Sequence, residues 1–275
     1  MRIVLLTSDA PGQRALAQRL AAAQGAELTG VVVQTIAPTQ AWRLLRSNPA
    51  RFADKLMARA LYGRDTARIA REGESRFDPA QPWAAPIITV DDVNGAEAVA
   101  FLRAAQPDLI CVSGTRMIKA PVFDTNPSRG LLNLHTGLSP FYKGGPNCTL
   151  WCLANGEPQY IGATIHELDP GIDSGRLILT AQTEVLLKDD AASLVWKTVD
   201  LGIGLYVRVV EAMAAGRPVR PIVQSQIGEG RTYFTREWRA RELGRALAFV
   251  SGEHLADWVA AGRPGVVRLY DGLKA

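Results

Sequence analysis

Asn133 and His135 stand two residues apart at the end of an apolar run, and Asp173 follows in a glycine-bracketed loop, Asp173-Ser-Gly175. On a strand, that spacing puts the amide and the imidazole on one face. An amide, an imidazole and a carboxylate gathered at strand ends suit acyl transfer. The first two can meet a developing oxyanion, and the carboxylate can manage protons. His254 has no partner signal, and three histidines among scattered cysteines lack ligand spacing, so no metal site is expected.

The elements that must position this trio follow from the alternation of strand-like and helix-like stretches. Strands are expected at 2–6, 27–33, 86–90, 108–113 and 130–135, with helices to about 23 and at 94–104. This is the pattern of an α/β, Rossmann-like, mostly parallel sheet with helices on both faces. Ligands of such sheets bind beyond the carboxyl ends of the strands, where Asn133 and His135 fall. A long helical insertion, 38–80, carries its own apolar positions (Trp42, Leu45, Phe52, Leu56, Leu61) and is expected to pack one side against the sheet. One strand or two should occupy 176–187, and a long amphipathic helix 191–215. Residues 1–215 then form a catalytic domain. A small C-terminal extension, 216–275, holds a basic stretch at 233–245 and a strand-like 266–270.

Composition narrows the classes. A chain of 275 residues that is 47% hydrophobic can bury one full core and a small appendage. No apolar run reaches the roughly 18 residues of a membrane span. The opening residues turn polar too quickly for a secretory signal, which favours the cytoplasm. Cys111, Cys148 and Cys152 are an odd number and read as free thiols. The net charge of +4 is partly local, since residues 41–78 carry nine Arg or Lys against five Asp or Glu. Arg51, Lys55 and Arg59, then Arg64, Arg68 and Arg71, repeat at helical spacing. They make either a solvated face or a cationic wall for a phosphorylated substrate or RNA. The chain has no G-x-G-x-x-G, no Walker-type loop and no G-x-S-x-G elbow, which argues against dinucleotide redox chemistry, nucleotidases and serine hydrolases.

Several segments in order resemble the 10-formyltetrahydrofolate-dependent formyltransferases, the superfamily of methionyl-tRNA, glycinamide ribonucleotide and sugar N-formyltransferases. They are Asn133-Leu-His135, Leu138-Ser-Pro140, Lys143-Gly-Gly145, and Gly162-Ala-Thr-Ile-His166 leading to Asp173-Ser-Gly175. The resemblance implies 10-formyltetrahydrofolate as co-substrate and catalysis by Asn133, His135 and Asp173. It places Arg116, Met117 and Ile118 along one border of the pterin, and Leu168, Asp169, Pro170, Gly171 and Ile172 around its other edge. His166 has two readings, facing the folate side of the cleft or structural. One departure stands out: Thr136-Gly137-Leu138-Ser139-Pro140 replaces the family's frequent Ser-Leu-Leu-Pro.

The turn variant and the basic insertion favour a small, anionic primary amine as acceptor, foremost a nucleotide-linked amino sugar, and the resemblance in the Thr-Gly-Leu-Ser-Pro and Gly-Gly-Pro-Asn segments leans the same way. Neither a membrane nor a nucleic acid is expected as partner, and a homodimer is admissible. The tail is shorter than the second barrel that tRNA-directed members append. An amino acid or hydroxyornithine, methionyl-tRNA, hydrolysis of the formyl donor, and folate binding without turnover are the alternatives.

Overall fold

Burial follows the strand pattern. β1 (Arg2–Ser8) is buried along all but its first residue and β4 (Leu109–Ser113) along its whole length, as strands covered on both faces require. The computed structural model describes residues 1–35, 41–263, 265 and 267–274, the side chains of 41–43 excepted. Trp42 and Val266, both singled out by the sequence pattern, therefore lie outside the described side chains or residues, as do 38–40 of the insertion.

β1 pairs in parallel with β2 (Glu27–Gln34) and β4, β2 with β3 (Ile87–Val90), and β4 with β5 (Leu131–His135). After a short β6 (Tyr142–Gly144), β7 (Gly162–Glu167) and β8 (Leu177–Gln182) join antiparallel. The described residues thus form a seven-stranded sheet of order β3-β2-β1-β4-β5-β7-β8. The strand order reverses between β1 and β4, the switch point at which open α/β sheets leave a crevice.

Helices cover both faces. α1 (Gln13–Ala21) lies on one face; its Leu16 and Leu20 join a core with Leu132 and Leu134 of β5. α2 (Ala41–Ser47) and the 28-residue α3 (Pro49–Arg76) form the insertion, α3 being capped by the Asn48 side chain. α4 (Ala96–Ala105) and the one-turn α5 (Ala120–Phe123) cover the other face, through Ala98, Val99, Leu102 and Val122. α6 (Cys148–Ala154) is buried throughout, and α7 (Ala191–Ala214) opens with a capping box between Asp190 and Ser193 and returns across the α1 face. All three cysteines are buried and unpaired.

The insertion does not lie on the sheet as its apolar positions suggested. α3 packs on α7: the Trp196 indole N–H donates to the Ile69 carbonyl at 2.6 Å, and Phe77 meets Trp196 edge to face. Leu45, Leu56 and Leu61 stay about half exposed, at 48%, 52% and 62%. One physical reason is that α7 already occupies the sheet face, so a later layer touches helix rather than strand.

Residues past 216 return to the first part of the chain. β9 (Arg231–Tyr233) pairs in parallel with β6, and α8 (Ala240–Ser251) packs on α6 and α3, followed by α9 (Glu253–Ala260). Of the strand expected at 266–270, the described residues 267–270 form no ladder: Tyr270 exchanges bonds with Thr180, and the next residue, Asp271, makes an isolated bridge to Leu179. No helix among the described residues is long and apolar enough to cross a membrane.

Candidate active site

The cleft forms where β4 and β5 part. The Tyr206 hydroxyl, from α7, reaches between them: it accepts from the Val112 N–H at 2.9 Å and donates to the Leu132 carbonyl at 2.6 Å. Both backbone groups are satisfied by a side chain, so the strands can diverge beyond this point without leaving polar atoms unpaired. Asn133 and His135 follow on β5, and the loop Gly114–Ile118 leaves the end of β4.

β5 pairs with β7, which carries His166 opposite Asn133. A register irregularity falls between Ile165 and His166 on the β8 side, a bulge of the kind that re-aims side chains beside sites. The loop after β7 brings Asp173 back over both strands with φ of 46°, a left-handed conformation that Asp tolerates better than most residues.

Asp173 is the hub. Its Oδ1 accepts from Asn133 Nδ2 at 3.3 Å, and its Oδ2 lies 3.4 Å from His135 Nδ1 and accepts the Gly144 N–H at 2.8 Å. Gly144 is required there: its φ is 81°, and a Cβ would lie 2.1 Å from the Tyr233 carbonyl oxygen. The far nitrogen of His135, Nε2, donates to the Tyr142 carbonyl at 2.9 Å, with the Cys148 sulfur at 3.6 Å. Both ring nitrogens therefore face acceptors, an arrangement that suits the imidazolium.

Electrostatics agree with the geometry. Burial alone would push His135 down, but the Asp173 carboxylate outweighs it, with help from Cys148 and the Tyr142 carbonyl, and raises the imidazole to about 9. Burial alone would raise Asp173, but the His135 charge, together with His166 and the Gly144 N–H, draws it well below the usual carboxylate range.

His166 is fully buried, so of its two readings the structural one fits. Its Nδ1–H donates to the Glu167 carbonyl at 2.7 Å, which leaves Nε2 to accept from the Asn133 amide at 3.1 Å. It does not line the cleft; it positions Asn133, and the same Nε2 lies 3.4 Å from Asp173 Oδ1.

The cleft measures about 590 Å³, with the trio among its walls. Arg116, Met117 and Ile118 line it, as do Leu168, Asp169, Gly171 and Ile172; Pro170 does not and is exposed. Each loop is held from behind. Buried Gln34 accepts the Arg116 N–H, and Asn94 donates to the Met117 carbonyl. Asp169 accepts from the Gly171 N–H and the Ser174 hydroxyl.

Of the basic residues on α3, Arg51 reaches the rim and donates to the carbonyl of Thr235, a cleft residue. Arg68 instead pairs with Asp190, and Lys55, Arg59, Arg64 and Arg71 are exposed. α3 departs from helical geometry at Tyr62, which separates the two basic triplets.

Sequence reasoning missed three groups. The Tyr142 carbonyl and the Gly144 N–H are backbone, invisible in residue types. Gln224 comes from the C-terminal extension: it donates to the Asp173 and Gly175 carbonyls at 2.6 and 2.8 Å and fastens the catalytic loop. Gln224→Ala strands two buried carbonyls and should cost about 1–3 kcal/mol in urea unfolding. It should also lower kcat by displacing Asp173.

Gly137 is a second sensitive point. A Cβ there would lie 2.5 Å from His135 Nε2 and 2.8 Å from the Tyr142 oxygen. Gly137→Ala is therefore expected to cut turnover at least ~10-fold by shifting the imidazole, since small misplacements at a reacting centre are costly. Steady-state kinetics beside a melting curve check this.

Comparisons with known proteins give the family and the fold. The formyl transferase family model matches residues 1–210. A methionyl-tRNA formyltransferase from Chlorobium chlorochromatii is 27% identical over 157 residues, 56% of this chain and 49% of that protein. Another, from Trichlorobacter lovleyi, is 31% identical over 134 residues, 49% of this chain and 42% of that protein. The chain spans about half the length of the curated relatives it matches. Among solved structures, a glycinamide ribonucleotide transformylase from Symbiobacterium toebii aligns with a TM-score of 0.55 at 20% identity, covering 81% of this chain and 94% of that one. A sugar N-formyltransferase from a Shewanella species aligns at 0.58 and 16%, covering 90% and 88%. At such identities the likeness shows the fold alone. With the family model matching most of its length, the chain belongs to the formyl transferase family.

Proposed function

We propose that this chain is an N-formyltransferase that moves the formyl group of 10-formyltetrahydrofolate to a primary amine of a small anionic molecule, foremost a nucleotide-linked amino sugar. The observation that carries the reading is Asp173 held between Asn133 and His135 on the wall of an open cleft.

Formyl transfer needs three services. The amine attacks the formyl carbon, the carbonyl oxygen becomes an oxyanion, and the folate nitrogen leaves. The His135 imidazolium and the Asn133 amide supply charge and a donor to that oxygen. Their contacts to Asp173, at 3.4 and 3.3 Å, are longer than the roughly 2.7–2.9 Å of charge-assisted bonds. With each group held from its other side, by Tyr142 and by His166, these two loosely bonded hydrogens can be shared with an oxygen entering beside the carboxylate. Asp173 keeps His135 charged and accepts the proton of the attacking amine, directly or through water, and that proton is passed on to the folate nitrogen as its bond to the formyl carbon breaks.

A pterin suits the remaining walls. The cleft is wide enough for a drug-sized heterocycle, and the loops 115–118 and 168–172 offer it backbone groups and apolar side chains. Arg51 at the rim supports an anionic acceptor. The sugar reading draws on neighbours such as the Shewanella sugar N-formyltransferase, while the curated relatives act, by name, on methionyl-tRNA.

The test is tetrahydrofolate release from 10-formyltetrahydrofolate, run without acceptor and then with nucleotide-linked amino sugars, hydroxyornithine and methionyl-tRNA. Release that requires a nucleotide-linked amino sugar supports the reading. Release that requires another of these amines replaces the acceptor, and acceptor-independent release replaces the transferase with a hydrolase.

A further inference from the structure

A second cavity, of about 260 Å³, opens beside the first at the switch point between the carboxyl ends of β1 and β4. Its body is apolar: Leu16 from α1, Leu134 from β5, and Val195, Trp196, Val199 and Ile203 from α7. Among the described residues no charged side chain lines it, and its polar side chains are those of Gln13 at the start of α1 and of Ser113, Thr136 and Asn147. Gly114, Leu134 and Thr136 border both cavities, so the two meet next to His135.

We propose that the second cavity receives a compact apolar group carried by the acceptor amine, and that this group selects the acceptor. The inference rests on the formyl-transfer reading: with the donor's pterin between the loops of the first cavity, the amine reaches the formyl carbon from the side of the second. A charged group would meet no opposite charge there, and a heavily hydroxylated one would find polar partners only at Gln13, Ser113, Thr136 and Asn147, against an otherwise apolar wall. An alkyl group loses little and gains contact with the lining. At about 30 Å³ per water-sized unit, the space holds on the order of eight non-hydrogen atoms, which matches a branched alkyl chain or the deoxygenated face of a ring.

The same geometry gives the α3 insertion a role. Ile69 lines the cavity and its carbonyl accepts the Trp196 indole N–H at 2.6 Å. Gly73 lets the α3 backbone lie against that ring, since a Cβ there would come within 2.2 Å of Trp196 Cζ2. The insertion therefore fixes the back wall of the selecting cavity and forms part of it.

The experiment compares kcat/KM for matched amines: nucleotide-linked amino hexoses bearing CH3 or CH2OH at C6, and the amino acids leucine and serine. In whichever series is formylated, the apolar member should be favoured by roughly 10–200-fold. Val199→Met, which fills the cavity with a flexible chain, should shrink that preference at least ~10-fold, and Val199→Ala should retain it and admit bulkier apolar groups. Because Val199 is only half-buried, the alanine variant gives a folded comparison. Transfer with no preference, or with preference for the hydroxylated member, overturns the inference while the formyl-transfer reading stands. Transfer to none of these amines overturns the inference, and the formyl-transfer reading falls with it only where hydroxyornithine and methionyl-tRNA are not formylated either.

Discussion

His135→Ala is expected to lower kcat for formyl transfer by about 10²–10³-fold, the usual cost of one preorganised group at a developing oxyanion. Affinity for the folate should change little, because the pterin-side loops 115–118 and 168–172 are held by Gln34, Asn94 and Asp169 rather than by the imidazole. The variant also takes the His135 charge away from the buried Asp173, which keeps only the His166 imidazole at 3.4 Å and its amide donors, and removing one partner of a buried pair costs up to about 3–5 kcal/mol. Folate titration and urea unfolding beside kinetics separate these effects. If turnover survives within a few-fold in a folded variant, His135 is not part of the chemistry.

Asp173→Asn makes the second large prediction, and its sign follows from the pair. With the carboxylate present, His135 stays cationic up to about 9, so activity should hold through neutrality and fall on an alkaline limb near that value. Without the carboxylate, burial, the largest influence on this imidazole, is opposed only by Cys148 and the Tyr142 carbonyl, and the imidazole is pushed down. The limb should then move to lower pH, and the variant should lose at least ~10-fold at pH 8.5 from protonation alone. A pH–rate profile reads this directly; a limb that stays near its original position removes Asp173 from control of the imidazole.

The same ion pair sets a stability window. His135, raised in the folded state from 6.5 to about 9, contributes stability fully below 6.5 and loses it as pH rises through 9. Asp173, lowered from 3.8, contributes above that value and loses its share as pH falls through its depressed range. Being one interaction, the two count once, on the order of 3 kcal/mol, and the full contribution lies between about pH 4 and 6.5.

How much was legible in the sequence depended on the range of the interaction. Asn133 and His135 could be read because a two-residue spacing on a strand is a local property, and Asp173 because its loop carries turn residues. The parallel core could be read from Leu109–Ser113 and its apolar neighbours, buried on both faces. The β6–β9 pair could not, since three-residue strands far apart in the chain have no periodicity to reveal them. Gln224 gave no signal for the same reason: a glutamine is ordinary until the fold brings it to the Asp173 carbonyl. The 266–270 stretch misled in the opposite direction. Its β-branched residues suggested a strand, but β8 takes only isolated bonds from its described residues. Leu45, Leu56 and Leu61 suggested a buried face, whereas what α3 buries best is Gly73, against Trp196.

The most direct test of the central claim follows the formyl carbon itself. 10-Formyltetrahydrofolate labelled with carbon-13 in the formyl group is incubated with the protein and the best acceptor amine, and the label is traced by NMR. The account predicts a new formamide carbon on the acceptor, dependent on the amine and nearly absent with His135→Ala. Label accumulating as formate at the same rate with or without the amine would contradict it.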